Sequence, residues 1–464
     1  MGSIEYKNIP QLTPLERIAP KGYVRYIFPF HLGNDYSIDK VSQILQTGYE
    51  TLARHIPEVA CECVPDTEIQ KKKGVVRYRR IEGADAARIA VKDLRDSFPF
   101  SFEQLRGKGF PVSYFDAETF CPRQIWPVPG EKVRTSLVRA NFIPGGLILG
   151  WNLLHLTGDG TSWYIWTRIW ADACRRAQGF EGESLNLPKG IWKDRGRVRK
   201  SSGRNAGNIE DHPEYTLLSF TPTSPPPKMM SPNHRGQIFY FSKDSLSRLK
   251  AEASPADATE SHDQQWVSTN DAVSALLWRT VMAVQNPLET LDGDPTSIFN
   301  IAIDGRPRTN PKVHPQTLGC FLEYIAVSAP VRKMLSTLTI ADLAMMIRKA
   351  LLNADEEFTD DTLALEEQVE DVDRLVATAF LDVPGFNCIQ TSWVNFDICG
   401  LEWGPVLGGR VEAIRTPHDG LVPGLQVVLP RLPDGGLEIL VGVEGNCLDK
   451  LLQDPLFTKF AVAR

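Results

Sequence analysis

Apolar positions along the chain alternate between the two-residue period of strands and the three-to-four-residue period of amphipathic helices, so both element types are expected throughout. Residues 22–30 (GYVRYIFPF) are rich in strand formers and read as an extended segment. Over 37–55, Ile38, Val41, Leu45, Tyr49 and Leu52, with Ile56 beyond, recur at spacings of three and four, and Ser37 is placed to cap the helix this predicts. Residues 75–78 alternate like a strand, and 132–151 read as two strands around a Gly145-Gly146 turn. A helix beginning near Thr161 or Ser162 would carry Trp163, Trp166, Ile169 and Trp170 on one apolar face. In the second half, 237–241 predicts a strand and 244–250 a short helix. The 268–284 stretch predicts a longer helix, with Ser268, Thr269 and Asn270 as cap candidates and Val273, Leu276, Leu277, Thr280 and Val281 as its apolar stripe. Strands follow at 300–303, 424–429 and 436–442, the last two joined by a hairpin loop over 430–435.

Between these halves the pattern lapses. Residues 187–232 carry a basic section (Lys189, Lys193, Arg195, Arg197, Arg199, Lys200 and Arg204) and then the Pro- and Ser-rich TPTSPPPKMMSP. Such a composition has little to bury and favours an extended connector. It lacks the interleaved aromatic residues of a nucleic-acid site, so a solvated linker is expected, with some cations near a phosphorylated ligand as the alternative. The chain is expected to form two mixed α and β domains, 1–190 and 236–464, joined by a crossover over 191–235.

Composition narrows the class. The chain has 464 residues, about three times a common domain length, with 42% hydrophobic and 23% charged residues, an ordinary globular balance. Its 51 basic and 57 acidic residues leave a net charge of −6, which argues against a phosphate-backbone binder. Of the 8 cysteines, only Cys61 and Cys63 are close, at a spacing that suits neither a zinc knuckle nor a redox pair, so reduced and mostly buried thiols are expected. The opening MGSIEYKNIP has an acid and a proline where a secretory leader needs an apolar run, and Tyr6 breaks the myristoylation pattern. The longest uncharged apolar stretch, 140–154, is too short to span a bilayer and is interrupted by Pro144, Gly145 and Gly146. A soluble, cytoplasmic protein is the expectation.

One polar constellation stands in an apolar setting: His155-Leu-Thr-Gly-Asp159-Gly160, directly after the apolar run GGLILGWNLL. A histidine at the end of a buried strand can reach a cleft, and neutral imidazole is the natural base near pH 7. Gly158 and Gly160 would let the chain turn beside it. Asp159 could orient the imidazole, as in a triad, or turn away to bridge an arginine, and the spacing leaves both open. The histidines do not cluster, so no metal is expected, and the chain has neither a GxSxG elbow nor a phosphate loop or dinucleotide fingerprint.

Four segments in order resemble the BAHD-type acyl-CoA-dependent acyltransferases, in particular the fungal, trichothecene O-acetyltransferase-like branch that decorates secondary metabolites. They are VRANFIPGGLILGWNLLHLTGDG, with the HxxxDG of His155, Asp159 and Gly160; VSTNDAVSALLWR; IDGRPRTNPKVHPQTLGC; and Glu402-Trp403-Gly404, where the family usually has Asp-Phe-Gly. The resemblance implies two similar chloramphenicol-acetyltransferase-like domains, a long crossover, and a channel between them with the histidine midway. It implies direct transfer from acyl-CoA, acetyl-CoA first, to a hydroxyl of a fungal secondary metabolite, with His155 as general base and no covalent acyl-enzyme. No tightly bound cofactor, nucleic acid or membrane span is implied, and a monomer is expected.

By the same resemblance Asp159 and Gly160 are structural in the catalytic loop, Asp159 paired with Arg306 or Arg279. Ser268, Thr269 and Arg306 are candidates for holding CoA, though the first two also suit the capping of their own helix. Arg279, Trp403 and Gly404 would line or brace the channel. Two features depart from the family: Glu402 is one methylene longer than the usual Asp, and Leu154 stands where the related condensation domains prefer a second histidine. Trp151, Trp163, Trp166 and Trp393 could form a flat surface for a polycyclic acceptor, or simply belong to the core. N-acyl transfer, a carrier-protein donor and a catalytically silent binding protein of the same fold remain as alternatives.

Overall fold

The computed structural model describes residues 11–464 other than 34, 70–71, 84, 129, 182–194, 196–197, 256–265 and 384. The first ten residues, and Lys189, Lys193 and Arg197 of the basic connector, therefore lie outside the described residues.

Residues 146–154 make the most apolar strand of the first half, and the fold covers that strand on both faces. Every residue of Gly146–Leu154 is buried. It is flanked by antiparallel Tyr23–His31 and Ser136–Ile143, and Ile89–Asp93 adds a parallel edge strand. Side chains alternate as the pleat requires. Leu147, Leu149, Trp151 and Leu153 face the helices Ile38–His55 and Gly160–Ala177, whereas Ile148 meets Phe102, Phe115 and Phe120 on the other side. The two helices press together at Gly48, where a Cβ would stand 2.5 Å from Cys174 Sγ and 2.9 Å from Trp170 Cδ1.

The second sheet runs Leu322–Pro330, Thr296–Asp304, Cys388–Ser392, Leu425–Val428, Leu437–Glu444, His234–Phe241, Val462–Ala463. Cys388–Ser392 lies parallel to both neighbours and the remaining pairs are antiparallel. Thr269–Gln285 packs on it, with Trp278 buried and its indole bonded to Ser297. Ser268 caps this helix, as its position suggests, by accepting from the Asp271 N–H.

The two halves interlock rather than merely abut. Trp393, Trp403, Val411 and Ile414 from the second half belong to the core of the first sheet. Ile27 and Arg415 exchange backbone hydrogen bonds of 2.9 and 3.0 Å, which lays residues 411–415 along the outer edge of Tyr23–His31. The connector is anchored as well as solvated. Arg195 is buried, pairs with Glu16 at 3.0 Å and Glu58 at 3.3 Å, and donates to the Leu318 carbonyl.

The helix expected to begin near Thr161 begins at Gly160, because Asp159 itself accepts from the Ser162 N–H and acts as the cap. Among the described residues, no helix is long and apolar enough to cross a membrane. All eight cysteines are unpaired, seven of them buried.

Gly48 gives a test of this packing. A Gly48→Val chain should be destabilised by about 1–3 kcal/mol through overpacking between the two helices. Thermal or urea unfolding followed by circular dichroism would register that loss, and an unchanged midpoint would show that the interface yields.

Candidate active site

Residues leading into His155 are held by backbone bonds from three directions. The Leu154 N–H donates to Thr135 O at 2.9 Å, the His155 N–H to Gly22 O at 2.9 Å, and the Thr157 hydroxyl to Leu154 O at 2.6 Å. A short 3-10 turn, His155–Thr157, then projects the imidazole off the end of the strand. The ring packs against Trp163 at 5.0 Å between centroids and 64° between planes. Tyr26 extends this aromatic wall, meeting Trp163 at 6.2 Å and Trp393 at 5.1 Å. Burial pulls the His155 pKa below its ordinary 6.5, opposed by its own backbone carbonyl and by Asp159.

Asp159 turns away from the imidazole. It accepts from Arg306 Nη1 at 2.7 Å and Nη2 at 3.0 Å, from the Phe321 N–H at 2.8 Å and from the Ser162 N–H at 3.0 Å. Of the two arrangements open from the spacing, the structure adopts the arginine bridge. Arg306 is buried and engaged on every side. Its Nε donates to Thr317 O, its Nη1 also to Asp304, and its Nη2 also to Gly319 O. With its donors so placed, Arg306 has none left for a cofactor phosphate, which corrects the expectation that it holds CoA. Asp304 sits beside this pair, its pKa raised by burial and by Asp159 against the pull of Arg306.

Both glycines of the loop are there for space. Gly158 has an extended φ of −179°, so its role is not the expected sharp turn. A Cβ on it would meet the Trp163 indole nitrogen at 2.9 Å, and one on Gly160 would meet the Phe396 ring at 2.5 Å.

Other expected residues fall elsewhere. Arg279 donates to the carbonyls of Met334, Leu335 and Leu338 at the end of the Val331–Ser336 helix, far from any role with Asp159. Trp403 is buried between Phe30 and Trp170, and the Gln178 amide bonds its carbonyl at 2.7 Å. Gly404 takes φ +86°, and a Cβ there would strike that same amide at 2.4 Å. These two brace the first core, while Glu402 pairs with Arg410 at the surface. Ser268 is occupied in its capping box with Asp271, and Thr269 is the first residue of the helix. Deeper in that helix, Ser274 donates to Gln390 at 2.7 Å.

His155 lines a cavity of about 240 Å³ with Asp304, Gln390, Thr391, Ser392 and Trp393. A second hollow of about 1060 Å³ adjoins it, and Pro20, Met229, Tyr324 and Phe380 belong to both walls. Of the four tryptophans weighed for an acceptor surface, Trp163 and Trp393 line the cavity, whereas Trp151 and Trp166 are core. The contribution of 390–392 was not legible beforehand. QTS is a short polar run, and it reaches the cavity only because Cys388–Ser392 is a central parallel strand. Burial raises the pKa of every cysteine, Cys320 beside the catalytic loop included, so no thiolate nucleophile is prepared. No cluster of metal-ligating side chains occurs among the described residues.

Comparison with known proteins places the chain in a family. Residues 116–426 match the Transferase family, and residues 23–174 match the Trichothecene 3-O-acetyltransferase-like N-terminal domain. Eremophilane O-acetyltransferase prx11 of Penicillium rubens is 26% identical over 99% of this chain and 100% of its own length. Enoyl-CoA isomerase/hydratase claC of Penicillium crustosum is 28% identical over 97% of this chain, which spans only 50% of that protein. Among solved structures, F. graminearum TRI101 complexed with Coenzyme A and T-2 mycotoxin has the same fold. Its TM-score is 0.80 at 23% identity, over 98% of this chain and 99% of that one.

The buried Asp159–Arg306 bridge is the feature most open to test. Asp159→Asn should lower stability by about 3–5 kcal/mol, because it leaves the guanidinium short of a buried counter-charge. Activity should fall with the folded fraction. Parallel melting curves and turnover measurements would check this, since a large loss of turnover at an unchanged melting point would instead assign Asp159 a direct part in orienting His155.

Proposed function

We propose that in this chain, which belongs to the Transferase family and is an acyl-CoA-dependent O-acyltransferase, His155 is the general base of a direct transfer. The observation that carries this reading is the position of the imidazole. Together with Asp304, Gln390 and Trp393 it lines the smaller cavity, which adjoins the larger hollow, and its pKa is lowered by burial. A neutral imidazole there removes the proton from the acceptor hydroxyl as its oxygen attacks the thioester carbonyl. The C–O bond forms, the C–S bond breaks, and the imidazolium returns its proton to the departing thiolate. Both substrates are held in one enclosure, which sets their approach and keeps water from the thioester.

The acceptor on this reading is a hydroxyl of a fungal secondary metabolite, as the names of the O-acetyltransferase relatives suggest. Support comes from the larger hollow, whose walls include Trp126, Tyr215, Phe220, Met229 and Phe380 and whose volume suits a bulky apolar molecule. CoA would approach from the side of the Thr269–Gln285 helix. There Ser274 is linked to Gln390 on the cavity wall, with Thr269 and the free N–H groups of the first turn nearby. Acetyl is the acyl group this reading takes first. A monomer suffices for it, since one chain lines both hollows.

The test is thiol release from acetyl-CoA with a panel of polycyclic alcohols, with products identified by mass spectrometry. His155→Ala should fold normally and lose about 10²–10⁴-fold in turnover. Undiminished release by the folded variant would remove His155 from the mechanism. A second expectation concerns pH. Because enclosure lowers the His155 pKa, the base stays neutral as pH falls past 6.5. The acid limb of the kcat/KM profile should therefore have its midpoint below 6.5, and a midpoint above it would count against this base.

A further inference from the structure

After Arg195 the connector docks onto the helix Glu356–Gln368, and acids on that helix hold it there. Ser201 gives both its N–H and its hydroxyl to Glu367, each at 2.7 Å. Ser202 does the same with Asp360, at 2.6 and 2.7 Å. Asn205 donates to Glu357 and Asp360, Arg204 pairs with Glu357 at 3.1 Å, and the Gly207 N–H reaches Asp361 at 2.8 Å. Contact at Gly207 is backbone on backbone: its φ is +64°, and a Cβ would stand 2.2 Å from Leu365 N. The segment thus hangs on hydrogen bonds to carboxylates, with few apolar contacts beneath Ser201 to Arg204.

Within it, Arg199-Lys200-Ser201-Ser202 presents two cations three and two residues before an exposed serine. Arg199, Lys200 and Ser202 are all exposed, the first two in a bend and the serine in irregular chain. This is the chemistry that a kinase with an acidic substrate groove recognises: a short irregular strand whose leading cations pair with the groove and whose hydroxyl follows at a set distance. The catalytic site of the chain makes no use of these cations.

We propose that Ser202 is a phosphorylation site for a kinase directed by basic residues, and that its phosphate releases the connector from the Glu356–Gln368 helix. In the step itself the γ-phosphoryl group of ATP passes to Ser202 Oγ. The P–O bond to ADP breaks, a P–O bond to serine forms, and the hydroxyl proton goes to the kinase base. The product carries a charge of about −1.5 to −2 where a neutral donor stood. It faces Asp360, which has lost the hydrogen bond from that hydroxyl, with Glu357, Asp361 and Glu367 on the same helix. Arg204 touches the Ser202 hydroxyl at 3.1 Å but already serves Glu357, and Arg199 and Lys200 are exposed to solvent. On the helix side the phosphate meets the carboxylates of Glu357, Asp360, Asp361 and Glu367, so the balance there is repulsive. Release has a route to the large hollow. The connector continues through His212, bonded to Glu214 and facing Asp361, into residues 215–231, several of which wall that hollow.

The experiment uses the purified full chain, Mg-ATP and the catalytic subunit of a cyclic-AMP-dependent kinase, with a synthetic 198–207 peptide alongside. Intact mass should rise by the ~80 Da of one phosphoryl group, mapped by fragmentation to Ser202 and absent from Ser202→Ala. Cleavage by trypsin after Arg199, Lys200 or Arg204 should then accelerate at least about tenfold, as expected when a docked segment is freed. Phosphorylation of the peptide without the folded chain would overturn the proposal, as would incorporation that persists in Ser202→Ala. Phosphorylation at Ser202 with unchanged cleavage would overturn the release. None of these readouts involves acyl transfer, so their failure is separate from any failure of the reading of His155.

Discussion

A single buried ion pair holds the geometry of the site. Asp159 belongs to the first half of the chain and Arg306 to the second, and their bidentate contact joins the two sheets directly behind the loop that carries His155. The same carboxylate caps the Gly160–Ala177 helix and accepts from the Phe321 N–H. One side chain therefore sets where that helix starts, where the 317–321 loop lies and how far the halves stand apart. Charges so enclosed are tolerable because both partners have their lone pairs and protons satisfied, and removal of either leaves an uncompensated ion.

Other contacts across the seam share the load. Residues 411–415 run beside Tyr23–His31, and the Trp403 ring sits among first-sheet residues. Arg195 draws Glu16, Glu58 and the Leu318 carbonyl to one guanidinium. The cavity around His155 is what remains open between these fastenings. Its polar wall comes from the ends of Cys388–Ser392 and Thr296–Asp304, and its aromatic wall from Trp163, Trp393 and Phe396. An imidazole placed there is shielded from bulk water, which lowers its pKa.

Much of the local structure was legible in particular residues. Ser37 and the 3–4 spacing behind it mark Ile38–His55, and the continuous run before His155 marks a strand covered on both faces. The HxxxDG pattern is weak by itself, and His155 was singled out by the resemblance of four ordered segments to the acyltransferase family. Less visible were Gln390, Thr391 and Ser392, whose polar side chains break the strand pattern that would have announced them. Arg306 was visible as a residue but not as a role. A position beside a proline and another arginine suits a phosphate as well as a carboxylate, and only the folded neighbours decide between them.

What the chain determines by itself is therefore local. Periodicity sets helix and strand, cap residues set helix starts, and the motif singles out one histidine. These depend on neighbours within a few residues, whose geometry the backbone fixes. Tertiary structure alone decided that Asp159 serves Arg306 rather than His155, that Arg279 fastens a distant helix end, and that Trp403 braces a core in the other half of the chain. Each of those outcomes joins residues more than fifty positions apart. Partners at such distances are chosen by packing and by the need to satisfy buried charge, which no short window of sequence contains.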